Sequence, residues 1–214
     1  MEKRQIKFYA KGSNAAAIHA LPGHFATSNS HINYYIDITS LKTRINEAKE
    51  VAKVLASRFT SHITIDTIVC MDGTEVIGAF LSEEMERRNI LSTINQHKTV
   101  YVVSPEYDSY NQMIFRDNIK PAIVGKHVLL LLATTTTGAT IQRTLECVRY
   151  YGGNAVGVAS IFSTLKEIEG FPIESVFEED DIPGYAAYQP GNCPFCQKGL
   201  KLDAMVNGFG YSKL

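Results

Sequence analysis

Tryptophan is absent from this chain and net charge nearly so: Lys and Arg total 21 against 22 Asp and Glu, a formal charge of -1 over 214 residues. Such a balance leaves no footprint for nucleic acid or for an anionic membrane surface, and neither is expected as a partner. Long hydrophobic runs are missing too. The longest near the centre, Val128 to Ala133, is far too short to cross a bilayer. The opening stretch MEKRQIKFYAKGSN holds no apolar segment of the kind that directs secretion, so a cytoplasmic protein is expected. Cysteine is sparse: Cys70, Cys147, Cys193 and Cys196. The first two fall inside expected core elements, which suits a reducing compartment better than a disulfide scaffold.

What is present is an ordinary globular composition, 45% hydrophobic and 20% charged, enough for a core that needs no covalent staples. Leu41, Ile45, Ala48, Ala52, Leu55 and Phe59 fall on one helical face, with Ser40 placed to cap it. Thr64 to Met71 is rich in β-branched residues and reads as a strand; EVIGAFLSEEMERRN reads as a helix, with Gly73 in the turn before it. A strand over Thr99–Ser104 is followed by the polar, turn-rich SPEYDSYNQMIFRDNIKPAIVGK, which reads as a long loop. HVLLLLATT has the continuous apolar character of a strand buried on both faces. A helix over about 138–151, ended by a glycine cap at Gly152 or Gly153, and a strand over Ala155–Ser163 follow. Strands and helices thus alternate from Ile63 onward, the pattern of a mainly parallel α/β sheet flanked by helices. Boundaries are expected at an N-terminal flap over 1–40, an α/β core over 41–178 and an extended tail over 179–214.

The strand over 127–135 runs into TTTTGAT and then a helix. Backbone N–H groups at a helix N-terminus, together with the helix dipole, attract an anion. Thr136, Thr137 and Thr140 add hydroxyls, Ala139 adds a backbone amide, and Gly138 lets a ligand approach the main chain. Ligands of open α/β sheets sit at the carboxyl ends of the strands, where this turn lies. A β-rich turn with a threonine cap, binding nothing, is the competing reading.

VLLLLATTTTGAT resembles the phosphoribosyl-diphosphate loop of the type I phosphoribosyltransferases: a buried strand, two acids, two variable residues, then Thr-Thr-Gly-x-Thr. GHFATSNSHINYYIDI, Gly23 to Ile38, resembles the N-terminal segment of the orotate branch, matching at Thr27, Ser28, His31, Tyr34, Tyr35 and Asp37, with Asn29 in place of a glycine. The tail YQPGNCPFCQKG is similar to the Cys-Pro-x-Cys ending of some short orotate enzymes. The resemblance implies transfer of ribose 5-phosphate from phosphoribosyl diphosphate to a pyrimidine-type base, in nucleotide biosynthesis, by a homodimer. It implies that Thr136, Thr137, Gly138, Ala139 and Thr140 hold the 5-phosphate. It also implies a base side at Thr27, Ser28, Tyr34 and Tyr35, where the tyrosines either stack on the base or fill the core edge.

The departures are equally specific. The family's two acids accept hydrogen bonds from the ribose hydroxyls, and here Leu132 and Ala133 stand in their place. Charged hydrogen bonds contribute about 1.5–3 kcal/mol each, so losing two weakens sugar binding by roughly a hundredfold to ten-thousandfold. Support for Mg2+ beside the diphosphate goes with them. The long loop offers Arg116 as a candidate for the family's cationic catalytic role, against the alternative of a solvated arginine. The turn CMDGTEVIGA places Asp72 and Glu75 where they could repel an anion, or hold a cation or a ribose hydroxyl in the missing acids' stead. Family likeness thus favours an enzyme. The lost acids favour a non-catalytic protein that binds a nucleotide or sugar phosphate as a sensor or assembly partner. Apart from this site, Cys193 and Cys196 have the spacing of a zinc knuckle, but no second cysteine pair exists. His24, His31 or a dimer partner could complete a Zn2+ site; otherwise the pair is a tight turn with two free thiols.

Overall fold

The computed structural model describes residues 5–59, 63–88 and 99–214. In chain order the first half of the structure holds β1 (Ile6–Tyr9), β2 (Ala17–Ala26), β3 (His31–Asp37), α1 (Thr39–Thr43), α2 (Ile45–Ala56), β4 (Thr67–Cys70) and α3 (Glu75–Arg87). Then come β5 (Tyr101–Val103), β6 (Glu106–Tyr107), β7 (Met113–Ile114), β8 (His127–Thr135), α4 (Ala139–Tyr150) and β9 (Asn154–Ser163). The chain finishes with β10 (Glu167–Ile168), β11 (Phe171–Glu178), β12 (Ala187–Tyr188), α5 (Pro194–Gln197), β13 (Ala204–Asn207) and β14 (Gly210–Lys213).

The apolar strands form the expected sheet, in the order β10-β11-β9-β8-β4-β5, parallel except at the β10–β11 edge. Both faces of β8 are covered. Leu130 and Leu132 pack with Ile141, Leu145 and Val148 of α4, whereas Leu129, Leu131 and Ala133 belong to the core shared with α2 and α3. Each leucine so enclosed contributes roughly 1.5–3 kcal/mol, which explains why this strand has no polar alternation. Helix α3 lies close on β4 because Gly78 has no side chain; a Cβ there would stand 2.5 Å from Cys70 Sγ.

Three expectations are corrected. The helix over 41–59 is two helices, broken where Arg44 adopts extended backbone (φ -101°, ψ 124°). The break shifts the helical phase, so Ile45 is 59% exposed rather than buried, and Ser40 lies inside α1 rather than capping it. The long loop is folded. Asp108 Oδ1 accepts the N–H groups of Tyr110 and Gln112 in the turn of a β6–β7 hairpin, and Phe115 is buried against Tyr151. The tail is not extended. Residues 187–213 join the N-terminal strands in one sheet, β12-β3-β2-β13-β14 with β1 on β2, through parallel pairing of Ala204 with Phe25 and Met205 with Ala26. Flap and tail are therefore one hood, and it sits on the core through Phe25, Tyr35, Ile36, Val206 and Phe162. The helix expected to run to Asn89 ends at Arg87; Asn89 itself lies outside the described residues.

Candidate functional site

At the carboxyl end of β8 the chain turns through Thr136 and Thr137 into Gly138, whose φ of +77° makes it the left-handed N-cap of α4. A Cβ at Gly138 would also meet Ile168 Cδ1 at 2.5 Å and Leu165 Cδ1 at 3.1 Å, so backbone conformation and packing both select glycine. The residue just after β9 braces the turn: Thr164 Oγ1 donates to Thr136 O at 3.0 Å, and Thr164 N donates to Thr135 O at 2.9 Å. No side chain caps α4. Its leading amides are thus left without a side-chain partner at the turn, and a helix end of this kind attracts an anion.

Beside the turn lies a cavity of about 200 Å³. All five residues expected at the phosphate, Thr136, Thr137, Gly138, Ala139 and Thr140, line it. The cavity is also lined by Thr27, Ser28 and Asn29 from the turn between β2 and β3, and by Asn207 and Gly208 from the end of β13 and the turn after it. Tyr35, Phe162, Tyr185 and Val206 give it an apolar wall. Of the two tyrosines expected on the base side, Tyr35 is in the cavity and Tyr34 packs at the margin of the core instead. Burial, and then the neighbouring Asp37 charge, push the Tyr35 phenol up to about 12, so it remains a hydrogen-bond donor at neutral pH.

The two acids of the turn after β4 part company. Asp72 lines the cavity; its positive φ of +57°, unusual for a residue other than glycine, turns it inward. The nearby backbone N–H of Ala133 favours its ionised form. Burial raises its pKa, against the opposing pull of Lys42 and of that N–H group. Glu75 faces away from the cavity and accepts Ser104 Oγ at 2.6 Å. Leu132 is fully buried and reaches the cavity wall, while Ala133, equally buried, does not. Arg116 does not line this chain's cavity: its Nε is paired with Glu106 Oε2 at 2.9 Å on the exposed hairpin. Cys193 and Cys196 meet His24 and His31 on the hood, away from the cavity wall.

Lys42 is the residue the sequence did not bring forward. Its buried ammonium donates to Asp72 O at 2.7 Å and Gly208 O at 2.5 Å, pinning the Asp72 turn to the tip of the β13–β14 hairpin. Burial lowers its pKa, against the raising pull of Asp72, Glu75 and Asp37. Nothing in the local sequence marks it, because Lys42 stands in the last turn of α1, an ordinary place for a cation.

This architecture, a parallel sheet with an anion turn at the end of β8 under a hood, is the type I phosphoribosyltransferase fold. No family model matches the chain. The orotate phosphoribosyltransferase of Caldanaerobacter subterraneus subsp. tengcongensis is 25% identical over 183 residues, 84% of this chain and 86% of the relative. The orotate phosphoribosyltransferase of Aeropyrum pernix superposes with a TM-score of 0.52 at 15% identity, over 75% of this chain and 88% of its own. That of Mycobacterium tuberculosis, solved in complex with 5-phospho-α-D-ribosyl 1-diphosphate, superposes with a TM-score of 0.50 at 16% identity, over 69% and 82%. In sequence, the chain resembles the orotate phosphoribosyltransferases.

Proposed function

We propose that this protein is a phosphoribosyltransferase acting on a pyrimidine-type base. The observation that carries the reading is that Thr136 to Thr140 and Asp72 line one cavity. On this reading the α4 amides and the threonine hydroxyls hold the 5-phosphate. Asp72, on the cavity wall, accepts a ribose hydroxyl from beside the place where the missing acids would stand. The base lies against Tyr35 and Phe162. The C1′–O bond to diphosphate breaks as the C1′–N bond forms, and the base gives up its proton. Positioning and electrostatic stabilisation of the cationic sugar supply the rate. Mg2+ would enter on the diphosphate, with Asp72 the one carboxylate among the described cavity-lining residues to meet it. A relative solved with phosphoribosyl diphosphate on the same fold supports the choice of donor. The same reading takes the protein as a cytoplasmic homodimer.

A second reading rests on Leu132, Ala133 and an Arg116 that does not line this chain's cavity: a non-catalytic protein that binds a nucleotide or sugar phosphate as a sensor or assembly partner. Calorimetry with ribose 5-phosphate, nucleoside monophosphates and phosphoribosyl diphosphate, with and without Mg2+, separates the two when combined with a base-consumption assay using orotate. Magnesium-dependent binding of phosphoribosyl diphosphate with orotate consumed is the expected result. Monophosphate binding without turnover supports the second reading, and no binding to any of these ligands overturns both.

A further inference from the structure

His24 and His31 flank the turn that carries Thr27, Ser28 and Asn29 into the cavity; Cys193 stands at the N-cap of the single turn of α5 and Cys196 within it. The hood brings these four together from opposite ends of the chain. Their ligand atoms all lie within 4.8 Å of one another. His24 Nε2 is 3.4 Å from Cys193 Sγ and 3.7 Å from Cys196 Sγ; His31 Nδ1 is 3.3 Å from Cys196 Sγ and 3.1 Å from His24 Nε2. A tetrahedral zinc with Zn–S of about 2.3 Å and Zn–N of about 2.0–2.1 Å requires N···S edges of about 3.5 Å and an N···N edge of about 3.3 Å. The observed spacings fall around those values.

The hydrogen bond on the far side of the His24 ring is independent support. His24 Nδ1 is 3.1 Å from Leu200 O and 3.3 Å from Lys201 O. Carbonyls only accept, so Nδ1 carries the proton and the Nε2 lone pair points into the cluster, the arrangement that fixes a metal-binding imidazole. Asp203 holds the same segment, its carboxylate accepting His24 N–H at 2.8 Å and its own N–H donating to His24 O at 2.7 Å. Two thiolates and two neutral imidazoles also neutralise a divalent ion, so a site with His24 and Cys193 buried carries no net charge into the protein.

We propose that His24, His31, Cys193 and Cys196 bind a single structural Zn2+ that clamps the Thr27–Ser30 turn to the C-terminal segment above the cavity. With all four positions filled by protein, the ion has no open site for substrate; its role is to hold the hood. The proposal is independent of which ligand the cavity takes. Metal analysis of the intact protein, expressed with zinc and passed over a desalting column, should find one Zn2+ per chain. Replacement by Co2+ should give the visible bands of a tetrahedral site and a thiolate charge-transfer band. C196S, at an exposed position, should keep the wild-type circular dichroism while losing most of the zinc and that charge-transfer intensity. Stripping the metal with a strong chelator should lower the Tm, and adding Zn2+ back should restore it. Wild-type protein without bound zinc, a cobalt form without a thiolate band, or zinc fully retained by a folded C193S/C196S double variant would overturn the proposal.

Discussion

The backbone N–H of Ala133 lies near enough to the Asp72 carboxyl to pull its pKa down, which sets an acid from the turn after β4 beside the strand position where the related motif carries its own. On the proposed reading, Asp72 stands in from across the sheet for the acids absent from the end of β8. If Asp72 receives a ribose hydroxyl, Asp72→Asn should weaken phosphoribosyl diphosphate binding by about tenfold to a hundredfold, the range of a hydrogen bond to a charged group. Burial raises the Asp72 pKa, so the ionised acceptor is lost on acidification at a higher pH than for an ordinary carboxylate. The wild-type-to-variant affinity ratio should shrink towards unity as pH falls through that raised value. The same shift means that folding holds the proton more tightly than the unfolded chain does, and ionisation above the unfolded value costs stability. The unliganded Asn variant should therefore be no less stable at neutral pH. A ratio near unity at all pH values, read by calorimetry, removes Asp72 from the site.

Gly138→Ala tests the turn itself. The φ of +77° costs an L-residue about 1–2 kcal/mol, and the new Cβ must push Ile168 aside. Thermal unfolding should show a loss of at least about 1 kcal/mol, and ribose 5-phosphate should lose most of its affinity because the α4 amides are displaced. Full affinity in the variant would place the phosphate elsewhere.

Leu132→Asp separates the two functional readings. Leu132 is fully buried yet reaches the cavity, so exchanging it for a carboxylate should cost about 2–5 kcal/mol in the unliganded protein, the range for emptying a buried leucine site. Phosphoribosyl diphosphate with Mg2+ supplies partners for that acid and should raise the Tm more in the variant than in the wild type. Equal or smaller ligand shifts in the variant would mean that the sugar does not lie against β8.

Much of this was legible in the residues because its physics is local. A strand buried on both faces is an apolar run, as at Val128 to Ala133, and a tight strand-to-helix turn needs glycine where φ is positive, as at Gly138. The hood was not legible. Pairing of Ala204 with Phe25 crosses most of the chain and leaves no periodic trace in either segment, so the tail read as extended. The direction of Asp72 depends on one φ angle, and that of Lys42 on two carbonyls from distant turns. The zinc-knuckle spacing of Cys193 and Cys196 was visible, but its histidines were brought together by the hood and by nothing in the local sequence.

Asp66 gives the core a pH-dependent element outside the cavity. It sits just before β4, and its Oδ2 accepts both the backbone N–H and the Nδ1 of His127, each at 2.9 Å, fixing the start of β8 beside that of β4. Burial pushes the carboxyl up, but the two His127 hydrogen bonds and the imidazole and Lys126 charges outweigh it, and the pKa is lowered from 3.8. A depressed carboxylate binds its proton less tightly when folded, so its contribution is complete above the unfolded value and disappears as pH falls through the depressed one. Asp66→Asn should lower stability by about 1–3 kcal/mol at neutral pH, the cost of weakening a buried charged acceptor. Urea titrations of the two proteins should converge as pH drops below about 4, near the ordinary carboxylate value. A difference that stays constant down to pH 2.5 would show that the carboxylate's charge does not contribute to the fold.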